Sequence, residues 1–423
     1  MTVLYHLGIR LYGLFIYLAS LFSLKAKLWI EGRKNWREKG RQLPANKQVY
    51  RGNWVWVHCS SLGEFEQGRP LMEGLKERNP KQPILLTFFS PSGYEIRKNY
   101  PHADHILYLP LDTARNARDF LDLFQPRLAV FVKYDLWPNF IWELHHRQIP
   151  TLLISGLFRE KQIYFQWHGE FFRKMLRRID LFFLQNRASA NLLKQIGIDR
   201  FEIIGDTRID RVAQLAEKRK PLPLIESFCQ GSNVFIAGST WPSDLQVLGP
   251  FFQEKLAPDW RIIIAPHEIG EASLRQTEKA LSPLTCIRYS NLKENKVTEA
   301  KCLLIDNIGM LSSLYVFGKL AFIGGGFHRS GIHNTLEPAV FGLPVIFGPN
   351  YQKFEEAREM VNRGAAFPVQ TSEELSQRFA YLTLKKNRIQ ASQEASAFIR
   401  ENVGATQRIL EYIEKAGWVS PGG

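Results

Sequence analysis

"NWVWVHCSSLGEFEQGRP", Asn53 to Pro70, is the stretch on which the fold turns. Its first half is a near-continuous apolar run without polar alternation, which describes a strand buried on both faces in a parallel sheet covered by helices. The second half carries small polar residues and an early acid, the signature of a helix start. Glu64 therefore stands at the mouth of a buried strand, where a carboxylate is costly to desolvate. Either it is a solvated residue in the first turn of a helix, or it has a proton to take.

Outward from this unit the same grammar repeats. "PILLTFF", "HILYLP", "LAVFVK", "TLLISG", "LFFLQN" and "FEIIG" follow as short β-rich runs separated by helix-length segments. The alternation pauses over residues 211–231, charged and proline-bearing, which read as a helix end plus linker. It restarts with "NVFIAGS", "RIIIAPH", "CLLIDN", "LAFIGGG", "PVIFG" and "AAFPV". The expected architecture is α/β, two doubly wound Rossmann-like domains in tandem with a cleft between them. The expected boundaries are an N-terminal segment over 1–30, a first domain over 31–215 and a second over 225–423. Such sheets bind ligands at the carboxyl ends of their strands, so the residues after each run are where chemistry is sought.

The composition is that of a folded globular chain, and the net charge of +14 favours anionic partners: nucleic acid, phosphorylated small molecules or an anionic membrane surface. Four cysteines are scattered without a CxxC pair, which argues against a zinc site or a disulfide framework and fits a reducing compartment. Val3 to Leu24 is long enough to cross a bilayer but contains His6 and Arg10, one helical turn apart, with Tyr17 and Ser20 continuing the stripe. A helix lying in the interface competes with a span. Lys25 to Arg51 then holds nine basic residues against two acidic ones, which favours attachment to anionic lipid over a solvated linker.

Three loops of the second half attract attention. In "LAFIGGGFHRSGIHNTLEPAVFGLPVIFGPN", Gly324, Gly325 and Gly326 let a backbone bend sharply and approach a ligand, and Asn334 or Thr335 can cap a helix whose early turns carry Leu336, Glu337 and Pro338. A helix N-terminus suits a nucleotide phosphate, and Glu337 is placed to accept hydrogen bonds from ribose hydroxyls or to interact with the helix dipole. Pro266 and His267 follow one strand; Gly309, Met310 and Leu311 open a helix after another. In the first half, Glu64, "KYDLWPN" (Lys133 to Asn139) and "GDTRIDR" (Gly205 to Arg211) each follow a strand. HExxH, DxD and a Walker lysine loop do not occur, so neither a metal centre nor phosphate transfer from ATP is suggested.

"HCSSLGEFEQGRPL", "LLTFFSPSGYE", "LYLPLD", "LWPNFIWELHHRQIP", "GIHNTLEPA" and "GLPVIFGPNYQKF", in this order behind an apolar anchor, closely resemble the Kdo (3-deoxy-D-manno-octulosonic acid) transferases of lipopolysaccharide biosynthesis. The resemblance implies a GT-B glycosyltransferase at the cytoplasmic face of the bacterial inner membrane. It would move Kdo from CMP-Kdo to a lipid A precursor with inversion, without metal or other cofactor, and without a nucleic-acid partner. It puts the proton acceptor at Glu64 and nucleotide contacts at Pro266, His267, Gly309, Met310, Leu311 and Asn334 through Glu337. Transition-state stabilisation falls on Lys133 and Arg208. Many members carry an acid where Lys133 stands, lysine where Arg208 stands and arginine where His267 stands. Lys133 reverses a sign, and Asp135 is a nearby carboxylate that could replace the missing one. The competing readings are another GT-B nucleotide-sugar enzyme and a noncatalytic membrane-surface protein.

Overall fold

The structure, a computed structural model, describes residues 2–41, 52–217, 221–293 and 300–419. Two compact units share the chain: residues 1–210 with 402–423, and residues 211–401. The sequence runs its second domain to residue 423, whereas the contacts return the last segment to the first unit. The reason is a packed apolar face. Ile409, Leu410 and Ile413 of the Ala405–Lys415 helix join the core under the first sheet, and Asp210 accepts from the backbone N–H of Gly404 and Thr406 at that helix's start, both at 2.6 Å.

The first unit is built on β1 (Trp54–Cys59), β2 (Ile84–Phe88), β3 (His105–Tyr108), β4 (Pro126–Val132), β5 (Thr151–Gly156), β6 (Leu181–Leu184) and β7 (Phe201–Ile203). They lie all-parallel in the order β3-β2-β1-β4-β5-β6-β7. Side chains of β1 alternate between two cores. Trp54 and Trp56 enter an aromatic one with Phe120, Phe131 and Phe140, while Val55, Val57 and Cys59 pack opposite with Phe65 and Leu71. Burial on both faces is why no polar alternation marks the strand.

The second unit carries β8 (Asn233–Thr240), β9 (Trp260–Pro266), β10 (Cys286–Arg288), β11 (Cys302–Leu304), β12 (Leu320–Ile323), β13 (Val345–Phe347) and β14 (Ala366–Pro368), parallel in the order β10-β11-β9-β8-β12-β13-β14. Every strand run read from the sequence is a strand here. β10 is the one it misses, a three-residue edge strand, half-buried throughout and too short to show a pattern.

The N-terminal segment is part of the first unit. Helices α1 (Thr2–Ala19), α2 (Leu24–Arg33) and α3 (Trp36–Arg41) lie on it, with Trp29 and Trp36 buried, so this part of the basic stretch is not a linker; residues 42–51 of that stretch lie outside the described residues. Tyr5 donates to Asp112, His6 bonds Asn139 at 2.9 Å, and Ile9 is buried. His6, read as part of a polar stripe, thus faces protein. Leu7, Leu11, Leu14, Phe15 and Leu18 form the opposite face and stay exposed, Phe15 at 67%. Among the described residues no helix is long and apolar enough to cross a membrane.

Candidate active site

In the first sheet the strand order reverses between β1 and β4, and the carboxyl ends flanking such a switch point are where doubly wound sheets take ligands. Glu64 follows β1, in the first turn of the Leu62–Arg78 helix, and is half-buried. The Ser61 hydroxyl, at the N-cap position, makes no cap bond and instead donates to Glu64 Oε2. Ser60 does the same for another acid, donating to Asp135 Oδ2 after β4. Two consecutive serines therefore each tether one carboxylate at the switch point. Glu66 is tied to Arg97 at 2.9 Å, as expected of a helix-surface residue.

Asp135 is held by more than Ser60. Trp137 Nε1 donates to it at 3.1 Å and His58 Nε2 lies at 3.2 Å. The Thr87 hydroxyl accepts from Trp56 Nε1 at 2.8 Å and shares a hydrogen bond with His58 Nδ1 at 2.8 Å. Trp137 Nε1 also lies 3.2 Å from His58 Nε2, so the imidazole, the indole and the Asp135 carboxylate meet at one point. Lys133, two residues earlier, adopts φ 70°, a strained conformation for a residue with a side chain. Its backbone N–H donates to Ile154 at 2.9 Å and its ammonium lies 5.3 Å from the Tyr134 ring centre. The carboxylate at this strand end is thus Asp135.

Arg208 stands in the first turn of the Thr207–Glu217 helix, two residues from the Asp206 that holds it. Its Nε and terminal nitrogen donate to Asp206 Oδ2 at 2.9 and 2.7 Å. Burial pushes the Asp206 carboxyl up, but the charge and bonds of Arg208 outweigh it and hold the group below the usual range. Gln67, on the Glu64 helix, reaches Asp206 at 3.3 Å, and Thr207 donates to the Gln67 carbonyl at 2.6 Å. "GDTR" and "GEFEQ" are therefore stitched together.

The second sheet reverses between β8 and β12. Trp241 follows β8, and its indole stacks on His267 at 4.4 Å and on His328 at 4.9 Å while its Nε1 donates to His333 Nε2 at 2.9 Å. His267 continues from Pro266 at the end of β9, its N–H bonded to the Thr240 carbonyl at 2.9 Å. Leu311, beyond Gly309 and Met310, packs on Gly238 of β8 together with Tyr315. Asn334 accepts from the Leu336 N–H at 3.1 Å and donates to Glu337 at 3.2 Å, whereas the hydroxyl of buried Thr335 has no partner among the described residues. The structure thus gathers Pro266, His267, Leu311 and the Asn334–Glu337 turn at the carboxyl edge of one sheet.

Two expectations change. The Leu336–Val340 helix has only 5 residues, so its dipole is short. The three glycines are also not open to a ligand: a Cβ at Gly324 would strike the Ser239 backbone, one at Gly325 the Gly331 carbonyl, and one at Gly326 the Gly348 backbone. They are glycines because loop packs on loop. Sequence reasoning missed Ser60, Ser61, His58, Gln67 and Trp241. The first four lay inside the quoted motif. Trp241 carried a signal of its own, an aromatic placed directly after the first strand of the second sheet.

Burial, with His267 beside it, pulls His333 down to about 4. The folded imidazole stays neutral where the unfolded one, near 6.5, takes a proton. Stability is therefore full above about pH 6.5 and declines as pH falls toward 4. Thermal midpoints across that window should fall, and His333→Asn, which keeps an acceptor for Trp241, should flatten the slope. An unchanged slope assigns it to other groups.

Residues 34–211 match the family described as "3-Deoxy-D-manno-octulosonic-acid transferase (kdotransferase)". The 3-deoxy-D-manno-octulosonic acid transferase of Aquifex aeolicus is 27% identical over 346 residues, covering 81% of this chain and 89% of that protein. The chain resembles the Kdo transferases over most of its length. A "bifunctional glycosyltransferase/methyltransferase" of Fusobacterium nucleatum is also 27% identical, over 82% of this chain; the chain spans 55% of that longer protein. The UDP-GlcNAc 2-epimerase of Neisseria meningitidis superposes with a TM-score of 0.61 at 17% identity, over 86% of this chain and 100% of that one, a likeness of fold. The architecture is GT-B, and the chain is a glycosyltransferase. Two residues after Lys133 stands an acid, Asp135, held by Ser60, His58 and Trp137.

Proposed function

We propose that this protein moves Kdo from CMP-Kdo to a lipid A precursor, lipid IVA, with inversion and without a metal. The observation that carries the mechanism is Glu64, half-buried at the switch point of the first sheet with one oxygen engaged by Ser61. Its other oxygen takes the proton of an acceptor hydroxyl as that hydroxyl's oxygen bonds to the anomeric carbon. The bond from that carbon to the CMP phosphate oxygen breaks, and the electron pair leaves with CMP. Arg208 and backbone N–H groups meet the charge that grows on the phosphate. In the second unit, Glu337, oriented by Asn334, takes the ribose hydroxyls, while Pro266, His267 and the Gly309–Leu311 turn hold the remainder of the nucleotide. Lys133 and Asp135 line the acceptor side. Transfer of label from CMP-Kdo to lipid IVA tests the reaction directly; hydrolysis or epimerisation without transfer rejects it.

The protein works, in this reading, at the cytoplasmic leaflet of the inner membrane, with the exposed face of α1 in the lipid. Leu11 and Phe15 are exposed on that face, so Leu11→Glu with Phe15→Glu should leave the fold intact. Burying two such side chains contributes about 3–6 kcal/mol, so vesicle partitioning should drop roughly a hundredfold or more. Undiminished binding would move the contact elsewhere.

A further inference from the structure

Between α1, α2, α3 and the residues just after β3 lies a cavity of about 680 Å³, within the roughly 300–1,000 Å³ that holds a small ligand. The reaction above makes no use of it. Its walls carry Arg10, Arg33 and Arg37 against one acid, Glu38, beside Trp29 and Trp36. Arg37 is engaged by Asp119 at 2.6 Å and Asn116 at 2.7 Å. Arg33 is held differently. Its guanidinium lies 3.6 Å from the Trp29 ring centre and 4.8 Å from those of Phe89 and Tyr108, and among the described residues it donates only to the carbonyls of Leu109, Trp29 and Phe89.

Carbonyls and rings orient a cation without neutralising it. Among the described residues neither Arg33 nor Arg10 has an acid partner. Burial pulls Arg33 down to about 9, so it remains charged at neutral pH, in a setting that an anion would relieve. The wall also runs through Gly13 and Tyr17 of α1 to the helix face where Leu14 and Leu18 are exposed. A charged pocket continuous with an apolar face suits an amphiphile better than a soluble anion.

We propose that this cavity is a headgroup site for one anionic phospholipid. Its phosphate diester bonds Arg33 and Arg10, its glycerol packs against the two tryptophans, and its acyl chains pass Gly13 onto the outward face of α1. The inference rests on the membrane reading above and adds a stoichiometric site to it.

Calorimetric titration of the full-length chain with dihexanoyl phosphatidylglycerol, kept monomeric, tests the site. One saturable equivalent is expected. Arg10 is exposed and makes no bond among the described residues, so Arg10→Gln should fold normally and weaken that binding roughly ten- to a hundredfold. Lys25→Gln, which removes the same charge outside the cavity, should cost no more than about fivefold. Equal losses in the two variants, equal binding of dihexanoyl phosphatidylcholine, or equally tight competition by inorganic phosphate would each overturn the site. Flotation with pure phosphatidylcholine vesicles separates the two readings. A chain that floats but shows no saturable phosphatidylglycerol site has lost the pocket and kept the anchor; a chain that fails to float has lost the anchor, and the proposed path of the acyl chains with it.

Discussion

Glu64→Gln should lower kcat by roughly a hundred- to ten-thousandfold, the usual contribution of a positioned general base, while CMP-Kdo affinity stays within about twofold of the parent. The amide keeps the size of the carboxylate and can still accept from the Ser61 hydroxyl, so the helix start is preserved and only the proton acceptor is lost. Ser61→Ala separates orientation from chemistry. It leaves the base but frees its rotation, and should cost no more than about tenfold. Initial rates with saturating donor and acceptor, set beside calorimetric CMP-Kdo binding, decide the matter. Near-parental kcat in Glu64→Gln would remove Glu64 as base, and Asp135, the other serine-tethered carboxylate at the same switch point, would be the next candidate.

The sequence carried the fold because both sheets are buried on two faces. Among the described residues thirteen of fourteen strands announce themselves as apolar runs, and the exception, Cys286–Arg288, sits at an edge where burial is partial. The candidate residues were legible for a related reason: doubly wound topology puts chemistry directly after strands, so Glu64, Lys133, Arg208, His267 and Asn334 could be found by position. Their partners could not be read in the same way. Nothing in "HCSSLGE" says that Ser60 bonds a carboxylate 75 residues on, or that His58 reaches the same group. The glycines misled because φ freedom and close approach are the same in sequence whether the neighbour is a ligand or another loop; Gly324 meets Ser239. Likewise the polar stripe of α1 looked outward until Asn139 was found to receive His6.

Arg208→Gln should lose roughly a hundred- to a thousandfold in kcat, the usual cost of removing one donor aimed at developing charge. The ion pair with Asp206 does not cancel this cation. Two nitrogens grip one carboxylate oxygen, which fixes the guanidinium plane before substrate arrives, and a preorganised donor needs no reorientation as charge grows. The substitution also acts on Asp206. With Arg208 present its depressed pKa adds stability above about pH 4 that is lost as pH falls through the lower, folded value. Without Arg208 burial dominates, the pKa rises above the unfolded one, and the buried carboxylate becomes a liability at neutral pH. Arg208→Lys distinguishes the two roles, because a lysine keeps the charge and gives up the two-nitrogen grip. If the cation serves the reaction, Lys should retain kcat within about tenfold while Gln does not, even where their thermal midpoints fall alike. Equal kcat losses that track the midpoints would reduce Arg208 to holding Asp206 and Gln67 in place, and the leaving phosphate would then depend on backbone donors alone.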